Sequence, residues 1–291
     1  MSSESVAVLG LGAMGRAFAV NVAAAGIAVT GFNRTARDEL KGLEFTIVSP
    51  AASAVEGAGI VLSMLTDAAA TTAVLLAGDT LDALAPGAVV VNMATIGVAE
   101  IGELARSLAD ARPDIVFVDA PVSGSKGPAE QGRVTILASS DADDESLRAR
   151  LAPVFEAIGR RTVWFGPTGA GSAMKIVVNT WLVHVMQGIA ETALLADKFG
   201  IDPRAIADTL SGGPLDTPYA TAKLRKIDAG DYSTEMALSL GAKDARLAVE
   251  AGTGLSLPVS QLIASLWAEA AAEESLATQD VSAVYEALRG V

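Results

Sequence analysis

The sequence predicts an α/β fold, a doubly wound and mostly parallel sheet followed by an all-α region. Three observations carry that expectation. In the first half, short β-branched runs alternate with alanine-rich helical stretches, the pattern of repeated βαβ units. The glycine-rich segment Gly10-Leu11-Gly12-Ala13-Met14-Gly15 lies between a strand pattern and a helix pattern. Beyond about Gly166 almost nothing reads as strand.

Taken in order, Ser5–Leu9 is expected to be a buried strand, Ala13–Ala25 a helix and Ile27–Phe32 a second strand. Further strands are expected at Phe45–Val48, Ile60–Met64, Ala88–Asn92, Val116–Asp119, Thr135–Ala138 and Thr162–Phe165. Helices are expected between them at Ala68–Leu76, Ala99–Asp110 and Asp144–Ile158. A long helical pattern without internal proline runs from Ser172 to Phe199. Shorter ones follow at Pro203–Leu210, Tyr219–Ile227, Met236–Ala251, Pro258–Ala272 and Val281–Leu288. The expected division is an α/β domain over 1–166 and an all-helical domain over 167–291.

Composition narrows the function. The 291 residues carry 34 acidic and 21 basic side chains, a formal charge of −13. That balance argues against nucleic acid or an anionic membrane as partner, because both are polyanions. With no cysteine and one histidine, His184, neither a thiolate nor a histidine-rich metal site is available, so no metal is expected. The start, MSSESVAVLG, lacks the pattern of a secretory signal, and no apolar run approaches the ~18 residues of a membrane span. A soluble, cytoplasmic protein acting on a small molecule is expected.

The glycine segment has the context that a dinucleotide site of the Rossmann type requires, with strand VAVL before it and a helix after it. Gly10 permits the tight turn, Gly12 lets backbone approach a pyrophosphate, and Gly15 allows close helix–strand contact. The alternative is a glycine-rich turn without a ligand. An NAD site usually ends its second strand with an acid that accepts from the ribose 2′-hydroxyl. Here that strand ends Asn33-Arg34-Thr35, and no acid precedes Asp38. Arg34 suits a 2′-phosphate, with Asn33 and Thr35 adding neutral hydrogen bonds, so NADP(H) is the expected cofactor. The competing reading makes Arg34 a solvated surface cation.

Four blocks in order, GLGAMG at 10–15, DAPVSGS at 119–125, GAGSAMKIVVN at 169–179 and KDARLA at 243–248, resemble the β-hydroxyacid dehydrogenase family. The family includes 3-hydroxyisobutyrate dehydrogenases and glyoxylate or succinic semialdehyde reductases, with imine reductases as near relatives. The resemblance implies that Lys175 is the catalytic lysine, giving a proton to the carbonyl oxygen during reduction. It implies that Ser123 and Gly124, with Ser125, hold the substrate carboxylate, and that Asn179 supports the lysine and binds substrate. Asp244 is implied at the substrate and Lys243 near the nicotinamide, while Leu65, Thr66 and Thr95 are implied cofactor contacts. The chain departs from the family pattern at Ser125, where a second glycine is common, and at Asn92, where an acid is common. It also carries Ser139-Ser140 where a glycine pair often stands.

The residues themselves support part of this. Lys175 and Asn179 are four apart and share one face of a helix, continued by Leu182 and Met186. A lysine partly desolvated beside another cation can cycle protons near neutrality, although spacing alone also allows a solvated surface lysine. Ser-Gly after a strand can cradle a carboxylate with its hydroxyl and N–H groups, or be an ordinary loop. Lys243-Asp244 reads by itself as a surface ion pair. His184 reads as a packing or interface residue, and Trp181 and Trp267 as core or interface anchors. The apolar residues Ile176, Val177, Trp181, Val183 and Leu194 occupy more than one helix face, which predicts a homodimer or higher homo-oligomer. Two other functions fit the same fold: reduction of imines, and NADP(H) binding without catalysis.

Overall fold

The computed structural model describes residues 4–35 and 37–290. The chain divides into two compact units, one ending at Lys175 and the other beginning at Ile176.

The first unit is built on β1 (Val6–Leu9), α1 (Ala13–Ala24), β2 (Val29–Phe32), β3 (Thr46–Val48), α2 (Ala51–Val55), β4 (Ile60–Ser63), α3 (Ala68–Leu75), α4 (Gly78–Ala83), β5 (Val89–Asn92), α5 (Val98–Ala111) and β6 (Val116–Asp119). These six strands form one parallel sheet in the order β3-β2-β1-β4-β5-β6, so the winding reverses beside β1. The strands are nearly continuous apolar runs because both sheet faces are covered. Val6 and Val8 of β1 face one way and pack with Phe18 and Val22 of α1. Ala7 and Leu9 face the other way and pack with Leu75 of α3 and with Leu104 and Leu108 of α5. The period-two alternation of a strand thus feeds two cores.

The unit continues through β7 (Val122–Ser123), α6 (Lys126–Glu130), β8 (Val134–Ala138), α7 (Glu145–Ile158) and β9 (Gly159–Trp164). Here the structure departs from the expected single sheet. β8 and β9, both anticipated from sequence, form a separate three-stranded sheet with β7, in which β7 and β8 are antiparallel. An antiparallel bridge between Asp119 and Ser139 connects the ends of β6 and β8. Residues 124–133, which include α6, reverse the chain between β7 and β8, a long-range pairing that strand propensity alone does not reveal.

Helix α8 (Ala170–Lys198) starts in the first unit and continues into the second. Its 29 residues span about 43 Å. The rest of the second unit is helical: α9 (Pro203–Leu210), α10 (Pro218–Ala229), α11 (Leu238–Ala251), α12 (Pro258–Ala272), α13 (Glu274–Ala277) and α14 (Val284–Arg289). Its core gathers Val183, Met186, Ile189 and Ala190 of α8 with Leu224, Leu238, Ile263 and Trp267. Trp267 is 0% exposed and its Nε1 donates to Gln187 Oε1 (2.8 Å). Trp181 is 72% exposed, so it belongs to no core, and Val177, Leu195 and Phe199 are exposed with it. His184 packs within the unit, its Nε2 lying 2.9 Å from Ser260 Oγ. No helix among the described residues is long and apolar enough to cross a membrane.

Candidate active site

In the first unit the strand ends are level. Leu9 lies in register with Phe32 and Ser63, Ser63 with Asn92, and Asn92 with Asp119. The segments that follow β1, β2, β4, β5 and β6 therefore all leave from the carboxyl edge of one sheet, where open α/β folds bind ligands. Those segments hold the residues singled out from sequence: 10–15, 33–35, Leu65 and Thr66, Thr95, and 123–125.

The glycine loop is tightly built. Gly10 has φ +95°, and a Cβ there would lie 2.5 Å from the Met64 carbonyl oxygen. A Cβ on Gly15 would collide with the carbonyl of Gly10. Gly12 differs: a Cβ there would meet nothing within 4 Å, and no side chain caps the helix it precedes. The first N–H groups of α1 thus carry no side-chain cap and follow a residue with open space beside it, which fits a phosphate group. Asn33 ties this loop to the end of β2. Leu11 N–H donates to Asn33 Oδ1 (3.1 Å), and Asn33 Nδ2 donates to the Thr35 carbonyl (2.6 Å). Asn33 thus shapes the loop with the very atoms expected to serve a ligand. Arg34 and Thr35 are exposed beside it.

Further along the edge, Leu65 is half-buried and Thr66 exposed; Thr66 Oγ1 donates to Asp67 Oδ2 (3.2 Å). Asp67 in turn accepts from Ala70 N–H (2.8 Å) and caps α3. Asn92 is buried and its Nδ2 donates to the Ala94 carbonyl (3.1 Å), shaping the turn that carries half-buried Thr95. After β6, Ser123 pairs in register with Thr135, and Gly124 adopts φ +144°, with Ser125 next in chain.

Lys175 stands half-buried in the second turn of α8. The start of that helix is bound to the sheet by groups to which sequence reasoning assigned no role. Asp119, 0% exposed, accepts from Ser172 N–H at Oδ2 (2.8 Å), from Ser172 Oγ at Oδ1 (2.7 Å) and from Ser139 Oγ at Oδ2 (3.2 Å). Ser139 Oγ also accepts from Gly171 N–H (2.9 Å). Burial pushes the Asp119 carboxyl up to about 6, against the pull of the Ser172 and Ser139 hydrogen bonds. The available signal was an acid closing the otherwise apolar run VFVD.

In the second unit, Asn179 is buried one turn beyond Lys175 on the same helix face, and its Nδ2 donates to Asp244 Oδ2 (2.6 Å). Lys243 Nζ lies 3.2 Å from Asp244 Oδ1. The Lys243-Asp244 pair is no solvated surface feature, since Asp244 is buried. Asn179, Lys243 and Asp244 therefore form one polar cluster, although 65 residues separate the first from the last.

Residues 5–166 match the family described as the NAD binding domain of 6-phosphogluconate dehydrogenase. Residues 169–288 match the one described as NAD-binding of NADP-dependent 3-hydroxyisobutyrate dehydrogenase. Glyoxylate/succinic semialdehyde reductase 1 of Arabidopsis thaliana is 31% identical over 289 residues, covering 98% of each chain. The structure of Mycobacterium tuberculosis 3-hydroxyisobutyrate dehydrogenase with L-serine superposes with a TM-score of 0.83 at 27% identity, covering 98% of this chain and 99% of that one. An imine reductase from Pseudomonas sp. has a TM-score of 0.62 at 21% identity over 98% of this chain and 99% of its own, a likeness of fold alone. With both units matched and the similarity running end to end, the chain belongs to the β-hydroxyacid dehydrogenase family of NAD(P)-dependent oxidoreductases.

Proposed function

We propose that the protein is an NADP(H)-dependent reductase that interconverts a small carboxylate-bearing aldehyde or 2-oxo acid and its hydroxy acid. Glyoxylate and succinic semialdehyde, named for the Arabidopsis relative, are the first candidates. The observation that carries the cofactor choice is the end of β2. There exposed Arg34 follows a pinned Asn33, and no carboxylate stands where a ribose 2′-hydroxyl would need one. Residues 1–166 serve as the cofactor domain and 167–291 as the helical domain in this reading. The open N–H groups after Gly12 take the pyrophosphate, with Leu65, Thr66, Thr95 and Lys243 as further cofactor contacts.

A bound nicotinamide supplies the hydride. Lys175 gives the proton to the carbonyl oxygen during reduction and takes it back during oxidation. Ser123, Gly124 and Ser125 hold the carboxylate through hydroxyl and backbone donors, while Asn179 and Asp244 orient the reacting end. Asn179 suits that task because its amide is held by Asp244 and cannot rotate freely. The test is a panel of glyoxylate, succinic semialdehyde, methylmalonate semialdehyde, tartronate semialdehyde and a cyclic imine, each with NADPH and NADH. Loss of reduced-nicotinamide absorbance with the acids supports the reading. Turnover of the imine alone replaces it with imine reduction, and no turnover of any substrate replaces it with binding without catalysis.

Replacing Arg34 with an uncharged residue should raise the KM for NADPH roughly ten- to hundredfold and leave NADH almost untouched, the usual worth of a charge-assisted contact. Equal kcat/KM for both cofactors in the parent would remove Arg34 from this role. The exposed Val177, Trp181 and Leu195 on α8, with Phe199 just beyond its end, should be covered by a second copy of the chain. Light scattering should then return at least twice 29.5 kDa at micromolar concentration, and a monomer would refute the assembly.

A further inference from the structure

We infer that Asp119 is a positioning residue for Lys175: with Ser139 it pins the first turn of α8 to the carboxyl end of β6, fixing the place of the lysine one turn on. The inference rests on reading Lys175 as the proton donor.

The hydrogen bonds are arranged for this task. The first turn of a helix has N–H groups without intrahelical partners, and a residue just before the helix commonly caps them. Helices α3 and α7 are capped that way, by Asp67 and Asp144. Helix α8 is not, because Gly169 precedes it and has no side chain. Its caps come from other strands: Ser172 N–H reaches Asp119, 53 residues away, and Gly171 N–H reaches Ser139, 32 residues away. A local cap stabilises a helix without placing it. Caps drawn from the ends of β6 and β8 set the helix in a fixed register against the sheet.

The contact is close as well as polar. A Cβ on Gly171 would collide with the Leu137 carbonyl and lie 3.0 Å from the Asp119 carbonyl oxygen, so the helix seats directly on backbone. Asp119 is itself locked: its N–H donates to the Ser139 carbonyl (2.9 Å) and its carbonyl accepts from Ser139 N–H (2.7 Å). Its carboxylate accepts from three donors, a set suited to the ionised form, and its charge lies at the positive end of a long helix. Lys175 follows Ser172 by three residues and therefore stands above this anchor on the same side of the helix.

The test compares Asp119→Asn, Ser139→Ala, Lys175→Ala and the double change Asp119→Asn/Lys175→Ala. An amide at 119 keeps the shape but removes the charge from the positive end of α8 and turns one acceptor into a donor, so that the Ser172 hydroxyl must reverse to accept from it. Asp119→Asn should keep its circular dichroism and its NADPH affinity, measured by fluorescence titration, while kcat falls about 10- to 50-fold, as small misplacements of a reacting group do. Ser139→Ala should show the same pattern at about 3- to 10-fold. In the Lys175→Ala background, Asp119→Asn should change kcat less than about twofold, because a group that acts through the lysine has nothing left to place. Unchanged kcat in a folded Asp119→Asn enzyme, or a full loss repeated in the Lys175→Ala background, overturns the inference. Loss of the fold in both Asp119→Asn and Ser139→Ala assigns the anchor to stability and also overturns it. A Lys175→Ala enzyme with more than a tenth of parental kcat overturns the lysine reading and the inference together. An inactive Lys175→Ala beside an unaffected Asp119→Asn overturns the inference alone.

Discussion

Replacing Lys175 with alanine should lower kcat by roughly 10²–10⁴, the usual contribution of a positioned acid, with NADPH affinity near parental. The carbonyl oxygen becomes alkoxide-like as the hydride arrives, and a cationic donor stabilises charge that develops only in the transition state. Lys175→Arg should restore little, because guanidinium keeps its proton at working pH and presents a differently shaped fork. Asn179→Ala should lower kcat less, since the donor remains. Its amide is held by Asp244, so Asp244→Ala should resemble Asn179→Ala in direction. Stopped-flow measurement of the single-turnover rate separates the chemical step from product release. Retention of more than a tenth of the parental rate by Lys175→Ala would move proton donation to water or another group.

The division of labour in the first unit explains why much of it could be read in advance. Strand β1 alternates Val6-Ala7-Val8-Leu9 into two cores, and the glycine loop after it has a local reason for each glycine. Local signals of this kind survive in sequence because they depend on neighbours in the chain. Asn33 shows the limit. Its type suggested a ligand contact, and nothing in the sequence shows that its carboxamide oxygen accepts from Leu11 while its nitrogen donates to Thr35, so that it also shapes the loop. Asp119, Ser139 and Ser172 were less legible still, because their partners lie 20 to 53 residues apart and meet only once the small second sheet has formed. The short helices α2 and α4 also escaped, being five and six residues long and therefore too short to show a period. In the helical unit, Asn179, Lys243 and Asp244 were each named through family likeness. Only the fold shows that Asp244 is buried against Asn179 rather than solvated.

Outside the candidate site, the substitution expected to destabilise most is Lys223→Ala in the helical unit. Lys223 is buried, its side chain 3% exposed, and its Nζ lies 2.7 Å from Asp280 Oδ1, whose side chain is 0% exposed. Glu235 Oε2 lies 3.3 Å from the same nitrogen, and the ammonium stands 5.6 Å from the centre of the Tyr219 ring. Asp280 also accepts from Glu235 N–H, Met236 N–H, Ser282 N–H and Ser282 Oγ, so the carboxylate ties the middle of α10 to two later segments. Burial opposes its charge, but Lys223 and Ser282 hold the carboxyl below the usual range. Removing the lysine leaves a buried charge without its counterion, a loss of about 3–5 kcal/mol and roughly 10–20 °C in the melting temperature of this unit. A carboxyl depressed in the folded state contributes stability above its unfolded value near 4, and that contribution is lost as pH falls below it. In Lys223→Ala burial still raises the carboxyl while only the Glu235, Met236 and Ser282 donors lower it, so it binds a proton more tightly than in the parent, and the deficit against the parent should narrow as pH falls from 7 to 5. A neutral pair, Lys223→Met with Asp280→Asn, should regain part of the loss at pH 7. Urea midpoints for parent, single and double variants at pH 5, 6 and 7 decide the matter. A Lys223→Ala midpoint equal to the parental one at pH 7, or a gap from the parental midpoint that widens from pH 7 to pH 5, would mean that this ion pair does not hold the unit together.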